Sequence, residues 1–520
     1  MADFSKPYDP KEVEGRIYEA WLKSGYFNQD KLGKRSKKFT VMLPPPNVTG
    51  TLHMGHALNA VGTDILIRYK RMKGFKTLWL PGTDHAGIAT QNVVEKQLRK
   101  EGVSRHDLGR EKFLERVWAW KEQYGNIILG QLKRIGASAD WSRTRFTMDE
   151  EYVKAIQESF LHYYKKGYIY RGERVVNWCP RCWTSLSDLE IDHEETKSNL
   201  YFIKYSLADG VKVSDGKDYI VVATTRPETM LGDSAVAVNP KDKRYKDLVG
   251  KKVILPIQNR IIPIVADRVI DMEFGTGAVK VTPAHDATDF DISTRHDLEK
   301  IRIIDDRGRM TSEAGSICIN AEGKYMKASE CRGVVVAKLQ EIGSMEKVED
   351  YIHSASKCSR CSTVIEPIIS KQWFLKMEKL AQHAIKAIKS KKVAFHPKRW
   401  EKVYLNWLAN IKDWCISRQI WWGHQLPVWF CKDKQTETSE ELFVVADKKP
   451  KKCPFCKKCE MEQSQDVLDT WFSSALWPFA TLGWPNKKSK DYVNFYPTQF
   501  LSTARDILNL WVSRMIFSGM

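Results

Sequence analysis

The sequence predicts an α/β fold built on a parallel sheet and interrupted by a β-rich insertion. Three observations predict it. Phe39, Val41 and Leu43 alternate as a strand does, and Pro44-Pro45-Pro46 ends that strand sharply. Leu58, Val61, Ile65 and Tyr69 then recur at helical spacing, and Thr77-Leu78-Trp79-Leu80 reads as a second apolar strand, so strand, helix and strand follow one another. Beyond Tyr201 the chain instead carries short strand-like runs, among them Tyr219-Ile220-Val221-Val222-Ala223 and Ile261-Ile262-Pro263-Ile264-Val265-Ala266.

Size and charge narrow the class. At 520 residues the chain exceeds one hydrophobic core, and about two to four domains are expected. A net charge of +19 with a pI of 9.2 suits a polyanionic partner such as nucleic acid, although a ribosomal or membrane-surface protein would share that balance. No apolar run reaches the length of a membrane span, and Met1-Ala2-Asp3-Phe4-Ser5-Lys6 lacks the apolar stretch of a secretory signal, so a cytoplasmic protein is expected, with no membrane partner. Most of the 11 cysteines fall in short-spaced sets, which in a reducing compartment favours metal over disulfide.

Along the chain, Val13, Ile17 and Trp21 mark a short amphipathic helix closed by Gly25. After the first strand, Asn47-Val48-Thr49-Gly50 leads into His53-Met54-Gly55-His56 where strand turns into helix. A helix N-terminus offers unpaired N–H groups and a positive dipole end, and Gly50 and Gly55 permit close approach to the backbone. His53 and His56 lie on one helix face and can donate to phosphate oxygens, although two histidines three apart also serve as capping residues or as half a metal site. Asp84, in Pro81-Gly82-Thr83-Asp84-His85 after the second strand, falls beyond a strand's carboxyl end, where substrates bind or where a helix cap stands.

Cys179-Pro180-Arg181-Cys182 and Cys358-Ser359-Arg360-Cys361 are two knuckles whose four thiolates suit tetrahedral zinc, with a whole domain between them. Cys431, Cys453, Cys456 and Cys459 form a weaker second set: Lys434 stands where the first knuckle's second thiol is usual, so Cys459 must substitute. Between the first two knuckles lie Thr224-Thr225-Arg226-Pro227-Glu228-Thr229 and a polar stretch holding Lys280, Thr282, Asp286 and Asp289, which by themselves are ordinary strand-end and turn residues.

Taken together these motifs resemble a known family. The His-x-Gly-His element after a proline turn resembles the ATP signature of class I aminoacyl-tRNA synthetases, and Pro44-Pro45-Pro46-Asn47-Val48-Thr49-Gly50 looks like the valine-specific branch. Asp466-Val467-Leu468-Asp469-Thr470-Trp471 points the same way; an isoleucyl specificity is disfavoured there, at Asn47-Val48-Thr49 and at Thr225 to Thr229. The resemblance implies ATP, Mg²⁺, valine and tRNA as ligands and a monomer. It implies His53 and His56 as catalytic residues, with Thr49, Gly50 and Gly55 beside them at ATP. Pro45, Asn47, Trp422, Val467 and Trp471 would wall the valine pocket, with Asp84 holding the α-ammonium.

A valine pocket cannot strongly reject threonine, the usual illustration of that limit, so a second hydrolytic site is needed. The resemblance places it at Thr224, Arg226, Thr229, Lys280, Thr282, Asp286 and Asp289, around the terminal adenosine of tRNA and a misattached threonine. Asp289 is expected at the threonine hydroxyl, Asp286 at the α-ammonium, and Lys280 at the ester or its oxyanion.

The implied plan is an N-terminal helical segment over 1–37 and a Rossmann-type catalytic domain over 38–175 and 466–520. Between its halves stand a zinc knuckle and connector over 176–200, an inserted editing domain over 201–345, and a second knuckle with connective elements over 346–465. The family's Lys-Met-Ser-Lys-Ser signature is absent from the 520 residues, which predicts the front portion of a longer polypeptide, or one half of a split one, with weak aminoacylation. The alternative is a tRNA-binding or trans-editing fragment that does not activate an amino acid.

Overall fold

The structure, a computed structural model, describes residues 7–33, 35–213, 215–433 and 441–520; Met1 to Lys6 and Lys434 lie outside them. Two compact units are present: Met1–Tyr170 with Phe374–Met520, and Arg171–Trp373.

In the first unit, helix Pro10–Ser24 starts where the Asp9 carboxylate accepts from Lys11 N and ends at Gly25, whose φ of 71° lies in the left-handed region that favours glycine. Strand Lys38–Met42 is the middle of a parallel sheet. It pairs with Lys76–Leu80 in register from Lys38↔Lys76 to Met42↔Leu80, and with Phe500–Leu501 on its other edge. Its central place explains why Thr40, Val41 and Met42 are all but inaccessible. Val41 packs with Trp79, Phe113, Val117, Ile128, Leu132 and Trp422, each worth about 1.5–3 kcal/mol when fully buried.

Helix Met54–Met72 follows the proline turn, but its apolar series faces outward: Leu58 is 78 % and Ile65 66 % exposed, while Ala60, Thr63 and Ile67 are buried. The periodicity locates the helix; the buried row uses two small residues, which permit closer packing than the leucine stripe would.

Further along, Ser417–Arg418 pairs antiparallel with Val467–Leu468, and the buried Arg418 guanidinium bonds Asp469, which also accepts from the Trp414 indole. Strand Val428–Cys431 runs between Phe443–Val445 and Met461–Gln463 and carries the first thiol of the second cysteine set. Among the described residues no helix is long and apolar enough to cross a membrane.

The second unit holds a curled sheet of seven strands. Its path runs Ala278–Val281, Ala235–Val238, Ile261–Ala266, Lys252–Ile254, Ile191–Leu207 and Met345–Cys358, and Tyr219–Thr224 also pairs with Ile191–Leu207. Thr276 donates to the Val221 carbonyl at 2.6 Å, which draws the far end of the path against Tyr219–Thr224 and curls the sheet. Ile203, Tyr205, Val222, Val236, Val238 and Ile264 fill the inside. The long ladder from Val348↔Tyr201 to Cys358↔Ile191 delivers the knuckle at Cys358 beside the one at Cys179.

Two cysteines depart from the sequence expectation. Cys318 and Cys331 form a disulfide, Cα atoms 5.5 Å apart, both fully buried. Neither belongs to a short-spaced set, and only the docking of helix Ala328–Glu341 onto the core brings them together.

Candidate active sites

The first unit contains a cavity of about 520 Å³ lined by Pro45, Asn47, Thr49, Gly50, His53, Gly55, His56, Asp84 and Trp471. His53 is the N-cap of helix Met54–Met72: its Nδ1 accepts from Gly55 N at 3.1 Å, and its own N–H donates to His56 Nδ1 at 3.3 Å. The rings lie 4.0 Å apart between centroids. Capping and cavity lining are therefore one arrangement. Because each Nδ1 accepts a backbone N–H, a neutral ring carries its proton on Nε2, the remaining donor. Burial, and then the charge of His53, hold His56 below the ordinary histidine range, so it is neutral at pH 7. A Cβ on Gly55 would meet the His53 ring at 2.9 Å, whereas one on Gly50 meets nothing, so Gly50 is the position open to a ligand.

Asp84 is buried and does two things. Oδ1 accepts from Ala86 N at 2.7 Å beside the start of helix Gly87–Lys100, as a cap would, and Oδ2 accepts from Ser474, with the side chain still lining the cavity. Backbone bonds from Asp84 N to Pro46 O and from Val48 N to Asp84 O fix the proline turn against it. Trp422 and Val467 are fully buried outside the cavity lining: the Trp422 indole donates to His85 O at 2.7 Å, and Val467 packs where a Cβ on Gly423 would come within 3.0 Å. They stand behind the wall. Sequence reasoning missed Asn59, Ser474, Thr503 and Trp511, which also line the cavity. Asn59 donates to Ser502 at 3.1 Å and Trp511 to Ser474 O at 2.9 Å, contacts that only chain closure over more than four hundred residues, in the first case, creates.

In the second unit the threonines converge. Lys280 Nζ donates to Thr229 Oγ1 at 2.8 Å and Thr282 Oγ1 at 2.6 Å and lies 3.4 Å from Asp233 Oδ1, occupying all three N–H groups. Asp233, unaccompanied in the sequence motifs, is completely buried and also accepts from Thr282 and Tyr205, each at 2.6 Å. Burial raises its pKa, opposed by Lys280, Thr282 and Tyr205.

Asp286 is exposed and caps helix Ala287–His296 through Oδ1, while Asp289, buried, accepts from Thr282 N at 2.8 Å. Burial first and the Asp286 charge second push the Asp289 carboxyl up to about 7. Thr224 accepts from Arg226 N at 3.0 Å. The Arg226 guanidinium joins Glu228 and Glu366, and Arg332 grips both oxygens of Glu228 at 2.8 and 2.9 Å. Burial alone would raise Glu228, but Arg226 and Arg332 hold it below the usual carboxylate range. Glu228, Arg332 and Glu366 were missed because their partners lie up to 140 residues away. His285 accepts from Ile303 N on Nε2 and donates from Nδ1 to Pro367 O, and burial takes its pKa down to about 3; it is a brace, not a base.

Cys179, Cys182, Cys358 and Cys361 bring four sulfurs within 4.8 Å of one another, and Cys431, Cys453, Cys456 and Cys459 do the same. Cys182 N donates to Cys179 Sγ and Cys459 N to Cys456 Sγ, both at 3.3 Å, the N–H···S turn that holds thiolates toward a shared centre. Both sets fit zinc, and the set lacking a thiol at 434 closes through Cys459.

Residues 16–520 match the family model of class I tRNA synthetases (I, L, M and V), and the chain belongs to that family. Within it, the chain is 53 % identical over 515 residues to the valine–tRNA ligase of Carboxydothermus hydrogenoformans, and 52 % identical over 521 residues to that of Thermotoga maritima. These alignments take in 99 % and 100 % of this chain but 56 % and 58 % of the relatives, so it spans somewhat more than half their length. The solved LeuRS–tRNA–LeuAMS complex of Agrobacterium radiobacter K84 aligns at 17 % identity and a TM-score of 0.47 over 98 % of this chain and 64 % of that one, a likeness too loose to place any residue.

Proposed function

We propose that the first unit activates valine with ATP and that the second hydrolyses threonine misattached to the valine acceptor tRNA. The observation that carries the first half is the cavity itself, where a helix N-terminus bearing His53 and His56 meets the Asp84 carboxylate and Trp471. Valine lies with its ammonium on Asp84, a charge-assisted bond, and a carboxylate oxygen displaces pyrophosphate at the α-phosphorus. Positioning does most of the work, and the two Nε2–H groups stabilise charge on the phosphate oxygens. Mg²⁺, when bound, supplies further neutralisation of the phosphates. Thr49 and Gly50 face the nucleotide, and Pro45, Asn47 and Trp471 bound the side-chain pocket, with Trp422 and Val467 packed behind it to keep it from yielding to larger amino acids. Valyl-adenylate then passes valine to the 3′ end of tRNA.

In the second unit, Asp289 accepts the threonine hydroxyl, Asp286 binds the α-ammonium, and Thr224 and Arg226 face the terminal adenosine. Thr229, Thr282 and Asp233 fix Lys280, so an ester oxygen reaching its ammonium displaces one of these partners. Zinc in the two cysteine sets, the editing domain over 201–345 and the catalytic halves over 38–175 and 466–520 complete the reading. Valine-dependent ATP–pyrophosphate exchange tests it: exchange with valine above isoleucine and threonine is expected. No exchange, with Thr-tRNA hydrolysis retained, would favour a trans-editing fragment instead.

A further inference from the structure

Some cations of the first unit are held by several acids: Arg143 bonds Asp30, Asp140 and Asp491 at once. A dense lysine run between two strands is not held in this way. Between strands Phe443–Val445 and Met461–Gln463 the sequence reads Lys448-Lys449-Pro450-Lys451-Lys452-Cys453-Pro454-Phe455-Cys456-Lys457-Lys458-Cys459, and all six lysines are exposed. Lys449 pairs with Glu460 at 2.7 Å; for Lys448, Lys451, Lys452, Lys457 and Lys458 no ion pair occurs among the described residues. Asp447 and Glu460 are the acids of this stretch, so its positive surplus outlasts even the roughly two negative charges of a zinc tetrathiolate.

The loop that carries these lysines is anchored through its cysteines. Three of the four clustered thiols lie among the lysines, and the fourth, Cys431, ties the loop to strand Val428–Cys431 with its sulfur 3.4 Å from that of Cys459. At the turn between Cys453 and Cys456 stands Phe455, 43 % exposed. The knuckle at Cys179 and Cys358, by contrast, presents Arg181 and Arg360 and no aromatic between its cysteines. Uncompensated lysines on a fixed loop around an exposed ring are what a single-stranded nucleic acid needs: cations for successive phosphates, a flat apolar face for a base, and little entropy left to lose on binding.

We propose that this lysine-rich knuckle is an RNA-contact surface that grips single-stranded tRNA, its lysines on the backbone phosphates and Phe455 stacked on a base. The proposal deepens the reading above, resting on it only for the identity of the RNA. A valine-specific tRNA and a duplex DNA of matched charge are titrated against the 520-residue protein over a range of salt. Replacing Lys451, Lys452, Lys457 and Lys458 together by Gln should weaken tRNA binding at least tenfold near 0.1 M salt and flatten the plot of log K against log [salt] by about three, at roughly 0.7–0.9 per lost contact. Phe455→Ala should weaken tRNA about fivefold or more and leave duplex DNA unmoved.

The Lys→Arg quadruple keeps the charge and should bind as the parent does, and Lys451→Gln with Lys452→Gln, both before the first cysteine of the loop, should give about half the slope change. Valine-dependent pyrophosphate exchange, where the parent shows it, should not change in any of these variants, which separates loss of the RNA surface from loss of activation. Unchanged tRNA affinity and slope in both Gln variants would overturn the proposal, as would a Phe455→Ala loss equal on duplex DNA.

Discussion

The two candidate sites solve opposite problems. In the first unit the polar groups line an open cavity of about 520 Å³, and His53 and His56 each spend one ring nitrogen on the backbone and keep the other for a ligand. In the second unit Lys280, Asp233, Glu228 and Asp289 are buried and bonded within the protein: Lys280 to Asp233, Glu228 to Arg332, and Asp289 to Thr282 N. A site for triphosphate must leave donors unspent, because the ligand brings the charge. A site that tells a hydroxyl from a methyl must hold its charges still, because an unmoving acceptor gives hydrogen-bond selectivity.

Metal removal tests that contrast most severely. Elemental analysis should find two zinc ions per chain, one in each unit, and structural zinc carries on the order of 10 kcal/mol of apparent binding free energy, so Cys182→Ser should empty one site and unfold the strands around it. A zinc count unchanged by that substitution would break the assignment.

Next comes the buried ion cluster. Glu228→Ala leaves Arg332 without its carboxylate and Arg226 with Glu366 alone, and should lower stability by about 3–5 kcal/mol in denaturant titration. Glu228's folded pKa is depressed, so its stabilising contribution is present above the unfolded carboxylate value near 4.3 and is lost as pH falls through the lower folded value. Asp289 behaves oppositely. Its pKa is raised to about 7, so the stability it contributes is complete below about pH 4 and is lost as pH rises through about 7. Asp289→Asn should remove that dependence and raise stability at pH 8 by roughly 4 kcal/mol; a stability profile over pH 4–8 identical to the parent's would deny the raised value.

Smaller on stability but selective in function, His56→Ala should lower valine-dependent exchange about a hundredfold with Thr-tRNA hydrolysis intact. The smallest effect belongs to the outward stripe: Leu58→Ser should shift stability by under about 0.5 kcal/mol, against about 2–5 for Ile203→Ala in the second core.

What the sequence made legible was local. Phe39, Val41 and Leu43, the helix behind His53, the strands at Tyr219 and Ile261 and each short cysteine knuckle were readable because each signal lies within one or two turns or one strand, while the joining of knuckles into one set rested on their flanking a common insert or loop. What was hidden depends on closure of the chain. Phe500–Leu501 is too short for any periodicity, yet it completes the parallel sheet, and Arg332 reaches Glu228 across 104 residues. Asp233 carried no signal, because nothing near it in sequence shows that Tyr205 and Thr282 would meet there. Leu58 and Ile65 mark the helix correctly but not its buried face, since helical spacing reports a stripe and not what lies against it.

The division of labour between the two units stands or falls on one assay: hydrolysis of Thr-tRNA and Val-tRNA, both on the valine acceptor, by the 520-residue protein and by its Asp289→Ala variant. The account predicts rapid loss of threonine with valine spared, abolished in the variant. Equal loss of both esters, or threonine release undiminished without Asp289, would contradict it.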